Sequence, residues 1–321
     1  MTGTRRVVVT SRSFGRGRLD LEATLAGAGL EVVRAAATHD RDELRAALDG
    51  AVAWIAGTGP VGPAELDLGP DLAVVARYGV GVDAVDLDAA RERGVVVTNT
   101  PGANSAAVAD HAVALLLAVL RSVVAGDRAL RTGDWGTRRG RELGACTVGI
   151  VGFGRIGQGL ARRLSGFGST LLVHDPYLDE EAAAEAGATP TDLDAMAAQA
   201  DVVSLHAPGG RLLVDAAWVA RARPGLVLVN TARADLVDED AVAAGLRSGA
   251  LGGYAADTLR TEGDGTASPL LAADLADRVA VTPHLGAATV EAADRMGAAA
   301  VDDVLAVLAG RAPTHPVTTP A

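Results

Sequence analysis

The sequence predicts an α/β protein built from two doubly wound, parallel-sheet domains. Three observations carry that expectation. Short β-branched runs alternate with alanine-rich amphipathic stretches along almost the whole chain. One such run leads through three spaced glycines straight into a helical pattern. The runs number eleven, too many for one tidy sheet. Apolar runs separated by helices indicate βαβ units whose sheets are covered on both faces.

The expected strands are residues 5–10, 31–34, 52–55, 73–76 and 95–97, then 147–151, 170–174, 201–205, 226–229, 253–256 and 279–281. Helical patterns fall between them, among them 19–28, 41–48, 156–167, 238–248 and 287–309. Val7, Val8 and Val9 form too short an apolar run for an export signal and read as part of the first strand. The most apolar stretch, 106–125, is interrupted by Asp110, His111 and Arg121, so it reads as a buried helix rather than a membrane span. Residues 311–321, with three Pro and three Thr, read as a loose tail.

Composition removes several chemistries. All 29 basic residues are Arg. Without Lys there is no P-loop and no internal amine to form a Schiff base. Forty acidic residues give a formal charge of −11, and aromatics make up only 3%; such a chain repels phosphate backbones and has few rings on which to stack bases, so no nucleic-acid partner is expected. The single cysteine, Cys146, allows no internal disulfide and fits a reducing, cytoplasmic setting. It precedes a strand with no paired His motif and reads as an inert thiol. No spaced Cys/His cluster or HExxH is present, so no metal is expected.

The strand Thr147-Val148-Gly149-Ile150-Val151 continues into Gly152-Phe153-Gly154-Arg155-Ile156-Gly157 and then a helix. Gly152 permits the tight turn, Gly154 lets a pyrophosphate approach the backbone, and Gly157 allows helix and strand to pack closely; the helix N-terminus offers free N–H groups and positive dipole. Asp175 ends the next strand, eighteen residues after Gly157. A carboxylate there accepts from adenosine ribose hydroxyls and repels a 2′-phosphate, so NAD is expected over NADP. This is the fingerprint of a Rossmann domain.

Further motifs stand in order along the chain: Arg77-Tyr78-Gly79-Val80-Gly81-Val82-Asp83, Asn99-Thr100-Pro101-Gly102-Ala103-Asn104, Asn230-Thr231-Ala232-Arg233, Asp257 with Glu262, and Thr282-Pro283-His284-Leu285-Gly286-Ala287. With them the chain resembles the D-isomer-specific 2-hydroxyacid dehydrogenases, which include phosphoglycerate dehydrogenases. The resemblance implies a discontinuous, flavodoxin-like substrate domain of residues 1–99 and 286–321. Into it a Rossmann NAD domain of residues 100–285 is inserted. It implies hydride transfer between nicotinamide and a 2-oxo or D-2-hydroxy acid, with Arg233, Glu262 and His284 as catalytic residues. Arg233 holds the substrate carboxylate, for which a planar guanidinium is suited. His284 donates or takes the proton, and Glu262 orients it and favours its charged form. The backbone amides of Val80 and Gly81 also bind substrate, while His206, Ala207, Pro208, Thr231, Ala232, Asp257 and Gly286 lie beside the cofactor, with Arg155 and Ile156 in the glycine turn. The helix beginning near residue 106 forms a homodimer interface, with Trp135 in an arm that either reaches toward the neighbouring subunit or is buried in its own.

Taken alone, Arg233 also reads as a partner for Asp235 or Asp238, and His284 as a strand-end residue satisfied by a backbone carbonyl. His111 reads as a packing residue, and His39 and His315 as loop positions. The chain departs from the family pattern at Ala234, where Gly is usual, at Asp110, where Glu is usual, and in a shortened loop after Pro208. Residues 56–60 lack the Arg of many phosphoglycerate dehydrogenases, while Arg12, Arg16 and Arg18 follow the first strand, either as a replacement anion site or as a solvated basic loop. The segment from His284 to Ala292, in contrast, is close to the phosphoglycerate dehydrogenase version, so the exact substrate stays open. Two alternatives share the scaffold. Formate dehydrogenases usually have Gln where Glu262 stands, which argues against that chemistry; an NAD(H)-sensing corepressor needs a peptide groove that the sequence does not announce.

Overall fold

A computed structural model describes residues 5–262 and 267–318. In chain order the strands are β1 (Arg5–Val9), β2 (Leu30–Arg34), β3 (Ala51–Ala56), β4 (Val74–Arg77), β5 (Val96–Thr98), β6 (Thr147–Val151), β7 (Thr170–His174), β8 (Ala188–Pro190), β9 (Val202–Leu205), β10 (Leu226–Asn230), β11 (Leu251–Ala256), β12 (Val279–Val281) and β13 (Pro316–Thr318). The chain forms two compact units, one of Met1–Asn104 with Ala287–Ala321 and one of Ser105–Gly286.

The first unit holds a sheet of order β13-β5-β4-β3-β1-β2. Its first five strands are parallel and β13 is antiparallel to β5. Without β13 the order is 2-1-3-4-5, the flavodoxin-like arrangement. Its core gathers Val8, Leu48, Trp54 and Val75, all 0% exposed. The second unit holds an all-parallel sheet of order β12-β11-β10-β9-β6-β7-β8. Counted within the unit this is 3-2-1-4-5-6-7, the Rossmann order with one strand added. Successive residues of one strand enter opposite cores: Leu228 belongs to one apolar cluster, Val227 and Val229 to the other. A period of two buried on both faces explains why these strands read as unbroken apolar runs.

Helix starts account for part of the acidic composition. Asp20, Asp40, Asp86, Asp179, Asp192, Asp215 and Asp238 each cap a helix by accepting from backbone N–H groups of the first turn; a cap of this kind contributes about 1 kcal/mol. The Arg155–Ser165 helix is different. Its N-cap is Gly154, with no side chain to close the turn.

The eleven expected strands are present, and two were missed. β8 is a three-residue edge strand. The expected loose tail contains β13: Pro316 opens an edge strand, where its missing N–H costs no ladder bond, and Val317 packs on the first unit's core. Residues 319–321 of that tail, like residues 1–4 of the expected substrate domain, lie outside the described residues. The single helix expected over 106–125 is two, Ser105–Leu120 and Val123–Arg131, bent by 58°. The break falls at Ser122, whose φ of 52° lies in the left-handed region and cannot propagate a right-handed helix. No single helix among the described residues is long and apolar enough to cross a membrane.

His39 lies in a loop, as expected, but is buried there. It is 3% exposed, with Nδ1 2.7 Å from the Pro60 carbonyl and Nε2 2.8 Å from Thr10 Oγ1. Thr10 Oγ1 already accepts from Trp54 Nε1 and from the Gly57 N–H, both at 3.0 Å. Its own proton is left for Nε2, so His39 carries its hydrogen on Nδ1 and donates to Pro60.

Candidate active site

The second unit gathers most of the expected site at the C-terminal ends of its strands. At the end of β6, Gly152 has φ of 89°, and a Cβ there would lie 2.6 Å from the His206 carbonyl carbon. A Cβ on Gly157 would lie 2.1 Å from Gly152 O. Both positions demand glycine for packing. Gly154 is the reverse, since a Cβ there meets nothing within 4 Å. Open space therefore stands over the uncapped helix N-terminus, where free N–H groups and dipole favour an anion. Arg155 is exposed and Ile156 partly buried in the first turn.

Asp175 follows β7 and is oriented by two backbone donors, Phe153 N–H to Oδ2 at 2.7 Å and Tyr177 N–H to Oδ1 at 2.9 Å. A carboxylate has lone pairs for two further donors. After β9, His206 places Nε2 2.9 Å from Ser204 Oγ, and its Nδ1 is buried without a partner. Burial pushes its pKa down to about 4, so the ring is neutral near pH 7. Ala207 is partly buried and Pro208 exposed. Thr231, after β10, has a buried, unpartnered Oγ1, as does Thr258 after β11. Unsatisfied buried groups at these strand ends, with open space at the helix N-terminus, fit a polar ligand running along the edge of the sheet.

The turn after β10 is set by Asn230, which is 0% exposed. Its Oδ1 accepts from Ala232 N–H at 3.0 Å and its Nδ2 donates to Arg233 O at 2.8 Å. Arg233 is thereby held extended, with its Nη1 donating to Ala232 O at 2.9 Å. Ala234 begins a short 3-10 turn, Ala234–Leu236. Its φ is not positive, so a side chain is tolerated where the family has Gly. The shortened loop after Pro208 is tied to this turn: Gly210 N–H donates to Asp235 Oδ2 at 2.6 Å, and Leu213 N–H to Leu236 O at 2.9 Å. Asp110, for its part, takes the Arg163 Nε at 2.5 Å.

His284 lies after β12 with φ of 53°, a strained conformation that must be held by its surroundings. Asp257, only 3% exposed, holds it. Its carbonyl accepts from His284 N–H at 3.0 Å, its Oδ1 from Leu285 N–H at 2.7 Å and Thr282 Oγ1 at 2.5 Å, and its Oδ2 from Gly286 N–H at 2.7 Å. A Cβ on Gly286 would come within 2.9 Å of that Oδ2. His111 Nε2 lies 2.8 Å from Thr282 Oγ1 and 3.3 Å from Asp257 Oδ1. With the Thr282 proton directed to Asp257, the His111 nitrogen is the donor. The packing role expected for His111 is thus corrected to a polar one, and Asp257 braces the turn that carries His284. Sequence reading missed both because the partners are distant in the chain, 171 residues apart for His111 and Thr282 and 28 for Asp257 and Leu285.

The His284 side chain presents Nδ1 to Glu262 Oε1 at 2.5 Å, not to the backbone carbonyl that the simpler reading gave it. The Glu262 hydrogen bond holds its pKa above the ordinary histidine value; burial and the Arg233 charge oppose this, and the Glu262 and Asp257 charges support it. The pairing occupies Nδ1 and leaves Nε2 as the nitrogen able to exchange a proton. Elsewhere, Cys146 is buried and its thiol pushed up by that burial, as expected of an inert group. His315 pairs with Asp303 at 3.1 Å. Trp135 is 84% exposed, which removes the reading that buries it in its own chain.

In the first unit, the segment after β4 is fixed through its carbonyls. Arg77 Nη1 donates to Tyr78 O, Thr100 N–H to Gly79 O at 3.0 Å, and Asn99 Nδ2 to Val80 O at 2.8 Å. In a trans peptide the N–H points opposite to the preceding carbonyl. The Val80 and Gly81 N–H groups therefore face away from these anchors, and no acceptor takes them among the described residues. Gly79 has φ of 141°, with the Arg77 guanidinium 3.1 Å from where a Cβ would stand. Arg12, Arg16 and Arg18 are exposed.

Residues 113–286 match the family model described as "D-isomer specific 2-hydroxyacid dehydrogenase, NAD binding domain". The chain is 42% identical over 295 residues to a D-3-phosphoglycerate dehydrogenase of Mycobacterium bovis, an alignment covering 90% of this chain and 55% of that protein. The chain thus spans about half the length of the curated relatives it first matches. It is 34% identical to a glyoxylate reductase of Thermococcus litoralis, covering 78% of each. Among solved structures, the TT0316 protein of Thermus thermophilus superposes with a TM-score of 0.86 at 37% identity, covering 98% of this chain and 100% of that one. The chain belongs to the D-isomer specific 2-hydroxyacid dehydrogenase family.

Proposed function

We propose that this chain is an NAD-dependent oxidoreductase that interconverts a 2-oxo acid and a D-2-hydroxy acid. The observation that carries the reading is the His284–Glu262 pair at 2.5 Å, with Arg233 near enough to act on the same imidazole. NAD, when bound, supplies or accepts the hydride; the chain's own residues do the rest. Gly154 leaves the pyrophosphate's place clear of a side chain while Gly152 and Gly157 let the turn and helix pack closely beneath it, and the uncapped helix N-terminus with Arg155 and Ile156 meets its charge. Asp175 takes the ribose hydroxyls. His206, Ala207, Pro208, Thr231, Ala232 and Gly286 line the remainder, with Thr231 Oγ1 and His206 Nδ1 as the groups that lack a partner. Asp257 is assigned both to the nicotinamide end and to the bracing of the His284 turn.

Arg233 pairs with the substrate carboxylate through its two-pronged guanidinium. The unpartnered N–H groups of Val80 and Gly81 form a second anion cradle of the nest type. His284 gives the proton from Nε2 to the carbonyl oxygen in reduction and takes it from the hydroxyl in oxidation. Glu262, facing Nδ1, keeps that proton available near neutral pH. The protein acts as a homodimer in a cytoplasmic setting; support for the dimer comes from the exposed Val123, Leu130 and Trp135 on and after the second helix of the unit. The test is oxidation of NADH with glyoxylate, hydroxypyruvate and 3-phosphohydroxypyruvate. Turnover on at least one supports the reading. NADH binding with no turnover on any assigns the chain to cofactor sensing instead.

Two further outcomes are expected. Asp175→Ala removes the group that repels a 2′-phosphate, so the preference for NADH over NADPH, read as the ratio of kcat/KM values, falls about tenfold or more. Unchanged preference would place cofactor selection elsewhere. The second concerns pH. His206 is held well below its unfolded value, at about 4, and burial lowers His39 as well. A histidine depressed in the folded state contributes stability above its unfolded pKa and loses it as pH falls toward the folded one. Tm is therefore expected to drop between about pH 7 and pH 5, and His206→Gln to flatten that drop.

A further inference from the structure

Glu239 is a buried acid, 2% exposed, that the chemistry above leaves unused. It stands at the first position of the Glu239–Ser248 helix, in a run of three acids with separate tasks. Asp238 caps the helix, accepting from Asp240 and Ala241 N–H groups. Asp240 pairs with the Arg260 guanidinium at 2.8 Å. Glu239 does something else: its Oε1 accepts from the Arg260 backbone N–H at 2.7 Å, and its Oε2 from the Ser268 hydroxyl at 2.5 Å. The Arg260 Nε lies 3.5 Å from that same Oε2.

Arg260 and Ser268 are the two sides of the segment that carries Glu262. On the near side, Glu262 N–H donates to Leu259 O at 3.0 Å, closing a turn around Arg260. The backbone two residues before Glu262 is therefore bolted to one oxygen of Glu239. On the far side, Ser268 accepts from Leu270 N–H at 3.2 Å while donating to the other oxygen. A buried carboxyl whose two oxygens hold residue 260 on one arm and residue 268 on the other fixes the separation of the two, and breaking one partner leaves polar groups unsatisfied in the interior.

Resting on the proposed roles of His284 and Glu262, we infer that Glu239 is a positioning residue: it latches both arms of the Glu262 segment and so holds the Glu262 carboxylate against His284 Nδ1. It touches neither substrate nor cofactor. Its effect reaches the reaction through the imidazole, which faces Glu262, Asp257 and Arg233 as charged neighbours. Loosening the latch weakens the Glu262 contact and leaves the Asp257 and Arg233 contributions in place.

The test is an NMR titration of the His284 imidazole in the full chain, with His284→Ala identifying its signals among the six histidines. Glu262→Gln is expected to lower the His284 midpoint by about one pH unit or more. Glu239→Ala is expected to lower it by about half a unit or more, in the same direction. The double variant Glu239→Ala/Glu262→Gln should then titrate where Glu262→Gln alone does, because both act through one contact. If Glu239→Ala does not fold, Ser268→Ala, which frees one arm only, carries the same expectation. Glu239→Gln, which keeps an acceptor for Arg260 N–H, is expected to return the midpoint toward the parent value. A lowered Tm with an unmoved His284 midpoint, in Glu239→Ala or in Ser268→Ala, makes Glu239 a structural brace only and overturns the inference. An unmoved midpoint in Glu262→Gln overturns the acid–base reading itself, so the two failures are told apart.

Discussion

His284→Ala is expected to lower kcat about 10²–10⁴-fold in both reaction directions, the usual worth of a positioned general acid or base. The loss belongs in kcat, with NADH affinity little changed, because the side chain is directed at Glu262 and not at the glycine turn. The pH dependence has a definite sign. The Glu262 hydrogen bond raises the His284 pKa, so reduction, which needs the protonated ring, is full at low pH and fades as pH rises through that raised value. Oxidation, which needs the neutral ring, rises over the same interval. Glu262→Gln is expected to move both limbs toward lower pH. Steady-state rates of the two variants across that range provide the check. A His284→Ala enzyme that keeps most of its activity would show that another group handles the proton.

Arg233→Ala is the second large effect. Hydrogen bonds to a charged partner are worth about 1.5–3 kcal/mol each, and a two-pronged guanidinium makes two. The expected loss in kcat/KM is therefore about a hundredfold or more, with NADH binding retained. Arg233→Lys keeps the charge but not the planar fork, and is expected to recover only part of the loss. The buried Asn230 amide fixes the turn from both sides, so these substitutions act on the side chain and leave the backbone turn in place. Equal kcat/KM for Arg233→Ala and the parent protein would assign the carboxylate to other groups.

Much of the fold is legible in the sequence because its signals are local. Strands such as β6 and β10, buried on both faces, read as continuous apolar runs, and the glycines at 152 and 157 mark places where a Cβ would strike backbone. β8 and β13 escape such reading because Ala188-Thr189-Pro190 and Pro316-Val317-Thr318 each carry a proline and no apolar run, unlike the equally short β12, Val279-Ala280-Val281. The break at Ser122 escapes it too, since a left-handed φ at a serine leaves no compositional trace. The residues of the proposed site could be placed through ordered motifs, but not the contacts that support them. His111 reaches Thr282 across 171 residues, and Glu239 reaches Ser268 across 29. Those pairings are products of strand order, which decides which loops meet at the edge of the sheet. His39 is the same case in the first unit, a buried loop histidine whose tautomer is fixed by Thr10, 29 residues earlier.

The absence of Lys looks different beside the structure. Cationic tasks fall to Arg throughout, and several depend on the guanidinium fork: Arg260 joins Glu239 and Asp240, while Arg141 and Arg223 together hold the buried Asp201 at 2.5 and 2.6 Å. The same geometry suits Arg233 to a carboxylate.

The proposed activity is a stereospecific oxidation that uses NAD. Its most direct test offers the purified chain NAD⁺ with D-glycerate, L-glycerate, D-lactate and L-lactate in separate assays and follows NADH by its absorbance. NADH formation is expected with D-enantiomers only, and is expected to fall about 10²–10⁴-fold in His284→Ala. NADH formed from an L-enantiomer, or D-substrate turnover that survives His284→Ala unchanged, would contradict it.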